Sequence, residues 1–113
     1  AAAIATLDVY QEEGLFDNAK TLAPVLEEEL QTIKGSPYVI DIRNYGMLGA
    51  IELQPIDGKP TARAMNVFRE CFAKGVLVRT TGDTIALCPP LIANEDQVRT
   101  VVRTVKESLD LID

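Results

Sequence analysis

The stretch GVLVRTTGDTIALCPP, residues 75–90, decides the fold. Two short apolar runs, 76–78 and 84–88, flank a polar turn at 80–83, which is the pattern of a β-hairpin. Pro89 and Pro90 end it, because proline has no N–H to give a sheet ladder. One permanent cation, Arg79, stands at the end of the first run, and the next acidic residue is Asp83.

A helix is expected on either side of this hairpin. Before it, Thr61 opens a segment whose apolar stripe is Ala64, Val67, Phe68, Cys71 and Phe72, closed by Gly75. After it, Asn94 and Gln97 have the spacing of a capping box, followed by Val98, Val101, Val102, Val105, Leu109 and Ile112 at helical intervals. Further upstream, YVIDIR (38–43) alternates, with Val39 and Asp41 on one side and Ile40 and Ile42 on the other. NYG turns this strand into MLGAIELQ (47–54), where Leu48, Ala50 and Ile51 are expected to be buried. Gly49 within it suggests a bulge or a close backbone approach.

The N-terminal third is helical by spacing. Ile4, Leu7 and Tyr10 define one helix that fades at Glu13 and Gly14. Leu15, Ala19, Leu22, Leu26, Leu30 and Ile33 define a second, which Pro24 should bend unless it lies in the first turns. Glu27, Glu28 and Glu29 read as a solvated face of that helix. The order helix, helix, strand, strand, helix, strand, strand, helix predicts one α+β domain over 1–113. It has an antiparallel sheet of about four strands with helices packed on one face. The other sheet face is left for a partner.

Composition narrows the function. The chain has 113 residues, a net charge of −6 and no histidine. Scattered Lys and Arg argue against nucleic acid, and no apolar run reaches the roughly 18 residues of a membrane span. Without an export signal, a cytoplasmic setting is expected. Cys71 and Cys88 are too few for a zinc site and read as two buried, reduced thiols. The missing histidine removes the commonest general base. The opening AAAIATLDVY has no methionine and no N-cap, so the chain reads as a piece of something longer rather than a complete enzyme.

Arg79 has two readings on pattern alone. It pairs with Asp83 across the turn or extends into water, or its planar fork binds a carboxylate through two parallel hydrogen bonds. Arg63, Arg69, Arg99 and Arg103 fall on helices beside acidic neighbours, and Arg43 ends a strand. Lys20, Lys34, Lys59, Lys74 and Lys106 all read as exposed, so none has the desolvated setting a Schiff-base lysine needs.

Three stretches together carry a resemblance: VIDIRNYGMLGAIELQP, AKGVLVRTTGDTIALCPPLI and the helix from Asn94. The chain resembles the C-terminal small domain of fold-type I, class III aminotransferases, and within them the ω-amino acid–pyruvate (β-alanine–pyruvate) branch. The resemblance implies a pyridoxal 5′-phosphate-dependent transaminase, a homodimer or tetramer when full length. It moves an amino group from an ω-amino acid or amine to a keto acid such as pyruvate. It places the cofactor lysine and the other catalytic and cofactor-binding groups in a large domain that this chain does not contain. It assigns Arg79 to the substrate carboxylate, as an arginine that swings aside for uncharged groups. Related ornithine and 4-aminobutyrate enzymes carry their arginine in the second hairpin strand, at the position of Ala86 here. Diaminopelargonate-type aminotransferases share the Arg79 pattern and are the alternative branch. A stand-alone acidic interaction module is the alternative of another class.

Overall fold

Period-two and period-3.6 patterns give every element one apolar surface, and a computed structural model, which describes residues 1–112, shows how those surfaces meet. The elements are α1 (Ala2–Glu12), α2 (Leu15–Gln31), β1 (Val39–Tyr45), β2 (Leu48–Leu53), α3 (Ala62–Ala73), β3 (Arg79–Thr81), β4 (Thr84–Leu87) and α4 (Glu95–Leu111). The four strands form one sheet in the order β1-β2-β4-β3, every neighbouring pair antiparallel. This is the expected α+β architecture. Leu53, Ile51, Ile85 and Leu87 point to one face, where they meet Leu26 and Leu30 of α2, Val67 and Cys71 of α3, and Val102 and Val105 of α4. Truncating a fully buried side chain here, such as Ile51 or Leu26, costs about 2–5 kcal/mol by the usual cavity effect.

The strands depart from the simplest alternation in two places. In β1 the register shifts between Val39 and Asp41, so Ile40 bulges out, 57% exposed, and Val39 and Ile42 both pack on the core. The extra residue reverses the side-chain phase, which is why Ile42 shares its inward role with Val39 rather than with Ile40. In β2 the inward set is Gly49, Ile51 and Leu53, while Leu48 is exposed. Gly49 is a close approach rather than a bulge. A Cβ there would lie 2.7 Å from Leu30 Cδ1, so α2 can seat directly on the strand.

The helices follow their caps. In α4 the Asn94 side chain accepts from the Gln97 N–H and Gln97 Oε1 accepts from the Asn94 N–H, completing the capping box. Pro24 lies inside α2, neither ending it nor falling in its first turn. Helix α1 contributes no buried residue, and Ile4 and Leu7 are exposed. Among the described residues no helix is long and apolar enough to cross a membrane. Phe72, expected on the buried stripe of α3, is 65% exposed and stacks on Phe68 instead.

Buried charge joins α2 to α4. Glu29, expected on a solvated face, is 4% exposed. It accepts from Arg99 at 2.5 Å and from Arg103 at 3.2 Å. Hydrogen bonds to Glu95 and to Glu29 hold the Arg99 proton more firmly still. Glu27 and Glu28 remain exposed, as the pattern suggests.

Candidate functional site

The hairpin begins later than its apolar run. Helix α3 ends in a Schellman turn: Gly75 takes φ 85°, and the Val76 N–H donates to Cys71 O at 2.9 Å. Val76 is therefore spent on closing the helix, and residues 76–78 are not a strand. The first ladder residue of β3 is Arg79 itself, so it opens the strand that it was expected to end. Gly82, at φ 59°, fills the first central position of the two-residue turn into β4, where a positive φ matches the twist of the strands.

Register fixes where Arg79 faces. It pairs with Ala86, which pairs with Ala50, which pairs with Arg43. Directly opposed residues share a face, and this row lies on the side of the sheet away from the helices. Positions 79 and 86, the two that the resemblance singles out, are thus cross-strand neighbours.

Arg79 and Ala86 border a cleft of about 800 Å³. Its walls include Leu48, Phe68, Leu77, Cys88, Pro89 and Ile92, and among the described residues Arg79 is the only charged one lining it. The wall formed by the segment after β4 is fastened from a distance. Asn18 of α2 donates through Nδ2 to Leu91 O at 2.6 Å and to Ala93 O at 3.0 Å. Nothing in the spacing around Asn18 announces this, because its partners lie 73 and 75 residues away. Asn18→Ala should leave both carbonyls unpaired and loosen that wall. We expect a loss of about 1–2 kcal/mol, with faster amide exchange confined to residues 91–94, as read by hydrogen–deuterium exchange.

The pairing of Arg79 with Asp83, one of the readings the pattern allows, does not form. Asp83 Oδ2 accepts instead from the Thr61 N–H at 2.9 Å. Among the described residues no carboxylate lies within ion-pair distance of Arg79, whereas Arg43 bridges Asp41 and Glu52 at 2.6 and 2.7 Å. Hydrogen bonds to Glu52 and Asp41 raise the Arg43 pKa further. Arg99 meets its neighbour Glu95 as the sequence suggests, whereas the partner of Arg103 is the distant Glu29. Arg63 is instead buried over the ring of Tyr38, 3.5 Å from the centroid.

The cysteines differ from the expected pair of buried thiols. Cys71 is buried, and burial pushes its pKa up. Cys88 is exposed and lines the cleft, because it follows the last ladder residue of β4 on the outward phase. With 5,5′-dithiobis(2-nitrobenzoate) at pH 8, one thiol, Cys88, should react rapidly, and the second only after denaturant is added. Rapid reaction of both would contradict this placement. Among the described residues no lysine lines the cleft. Lys74 lies 3.9 Å from Glu107, outside it.

Comparison with known proteins agrees along the whole chain. A family described as Aminotransferase class-III matches residues 1–109. An omega-aminotransferase of Caulobacter vibrioides is 43% identical over 113 residues, covering 100% of this chain and 26% of the relative. A beta-alanine–pyruvate aminotransferase of Pseudomonas aeruginosa is 36% identical over 110 residues, covering 97% and 25%. The solved adenosylmethionine-8-amino-7-oxononanoate aminotransferase of Methanocaldococcus jannaschii superposes with a TM-score of 0.89 at 26% identity, covering 99% of this chain and 27% of that one. The chain spans about a quarter of the length of the relatives it matches.

Proposed function

This chain belongs to the class III aminotransferase family, and from that premise we propose that it is the C-terminal small domain of a pyridoxal 5′-phosphate-dependent transaminase. The whole enzyme transfers an amino group from β-alanine or another ω-amino acid or amine to pyruvate. Its working form is a cytoplasmic homodimer or tetramer. The names of the two curated relatives support the substrate class.

Arg79 binds the substrate carboxylate. The observation that carries this reading is its setting: a guanidinium that, among the described residues, has no acidic partner and is the one charged group lining an apolar cleft. Such a fork is satisfied by a ligand carboxylate through two parallel N–H···O bonds. It remains protonated throughout, so it orients substrate and carries no proton. Its cross-strand neighbour is the small Ala86, and the arginine swings aside when the substrate end is uncharged.

The residues of this chain do not fit the cofactor. Among the described residues no lysine borders the cleft, and Arg79 is its single cation. Cofactor binding and proton transfer are assigned to residues outside these 113, and Arg79 is the contribution made from here. Expressing the longer polypeptide and following alanine formation from pyruvate with β-alanine as donor tests the proposal. Alanine accumulation is expected, and absence of amino transfer to any 2-oxo acid would overturn it.

A second reading within the family is the diaminopelargonate type, favoured by the likeness to the archaeal enzyme and by an Arg79 pattern that fits both branches. Using 8-amino-7-oxononanoate in place of pyruvate as acceptor separates the two.

A further inference from the structure

Two residues other than glycine hold a left-handed backbone: Tyr38 at φ 68° and Thr61 at φ 70°. Bulky and β-branched residues rarely do so, and both lie at one corner of the domain. There the Gln54 N–H donates to Tyr38 O at 2.7 Å, and the Leu53 N–H donates to Asp83 O at 2.9 Å. The Thr61 N–H, at the head of α3, donates to Asp83 Oδ2. Arg63, two residues on, is 7% exposed and covers the Tyr38 ring. Arg63 Nε, Arg63 Nη1 and Asp83 Oδ1 are buried without a protein hydrogen-bond partner.

Strained backbone and incompletely satisfied buried charge persist where the surroundings over-determine them, and they concentrate where geometry matters. What this corner holds is the turn of the hairpin that presents Arg79. Strand β3 has three residues and lies at the edge of the sheet, paired only with β4. So short an edge strand is weakly fixed by its ladder alone. Asp83 supplies the missing anchor from the turn, with its carbonyl on β2 and its carboxylate on the first turn of α3, where a negative charge also complements the helix dipole. The same bond turns the hairpin's one carboxylate away from Arg79.

We propose that Asp83 is a positioning residue for Arg79: it pins the β3–β4 turn to α3 through the Thr61 N–H and to β2 through the Leu53 N–H, and so fixes where the guanidinium is presented to substrate. This rests on the reading of Arg79 as the carboxylate-binding group. Asp83 touches no substrate. Its effect is on substrate orientation rather than on the chemical step.

The test uses the full-length enzyme and two donors that differ only at the group Arg79 would bind. Alanine carries a carboxylate where isopropylamine carries a methyl. The readout is the ratio of kcat/KM for alanine to that for isopropylamine. Arg79→Ala should collapse this ratio. Asp83→Ala should lower it about tenfold, mainly through KM for alanine. Asp83→Asn, which keeps an acceptor for the Thr61 N–H, should restore most of it. If Arg79→Ala collapses the ratio but Asp83→Ala lowers both donors equally, Asp83 is structural only and the inference fails. If Arg79→Ala leaves the ratio unchanged, the reading of Arg79 itself fails. Should Asp83→Ala not fold, Asp83→Glu carries the test: a carboxylate one methylene longer cannot keep the bond to the Thr61 N–H without shifting the turn, so the ratio should fall about threefold, and an unchanged ratio would overturn the proposal.

Discussion

Replacing Arg79 by alanine in the full-length enzyme is expected to lower kcat/KM for pyruvate by at least about thirtyfold. Truncating one partner of a desolvated charge pair costs roughly 2–5 kcal/mol, and each 1.36 kcal/mol is tenfold. The loss should sit largely in KM, because the guanidinium holds the substrate and does not move a proton. Arg79→Lys should recover only part of it, since an ammonium is a point charge without the bidentate fork. The folded domain should tolerate both changes, because Arg79 is exposed and carries no ion pair among the described residues. Steady-state kinetics with pyruvate as the varied acceptor, beside a denaturation curve for each variant, separates a binding loss from a folding loss.

The second large effect concerns stability. Glu29→Ala should destabilise the domain by about 1.5–3 kcal/mol, the range for hydrogen bonds to charged groups. The carboxylate is buried between two guanidinium groups that would lose their shared partner. The cost stays below that of a fully buried pair, because Arg103 is largely exposed and Arg99 keeps Glu95 at 2.7 Å. Glu28→Ala, one residue away and exposed, should change stability by less than about 0.5 kcal/mol. Urea midpoints for the two variants make the comparison. Equal shifts would mean that Glu29 is not the link between α2 and α4.

Glu29 also shows what a single sequence conceals. Its position, three after Leu26 and four before Ile33, lies on the buried stripe of α2, which is a signal that it turns inward. The neighbouring glutamates mask that signal, and the arginines that neutralise it are 70 and 74 residues away. Elements whose determinants are local were legible: the stripes of α2 and α4, the capping box at Asn94 and the hairpin turn, whereas at Gly49 the sequence left a bulge and a close approach both open. Where two local signals compete, the reading slips. Val76 is apolar enough for a strand, but its amide completes the turn after α3, so β3 starts at Arg79. Ile40 alternates correctly in sequence, but one extra residue in the register turns it outward. The site was legible in part. Arg79 was singled out, whereas the Asp83 bond to α3 and the Asn18 clamp on the cleft wall depend on contacts that only the tertiary fold creates.

The most direct measurement is a crystal structure of the full-length enzyme with β-alanine bound. The account predicts that the Arg79 guanidinium donates two hydrogen bonds of about 2.8 Å to the two oxygens of the ligand carboxylate, with Ala86 beside it across the strand. A carboxylate held by a different side chain, with Arg79 turned into solvent, would contradict it.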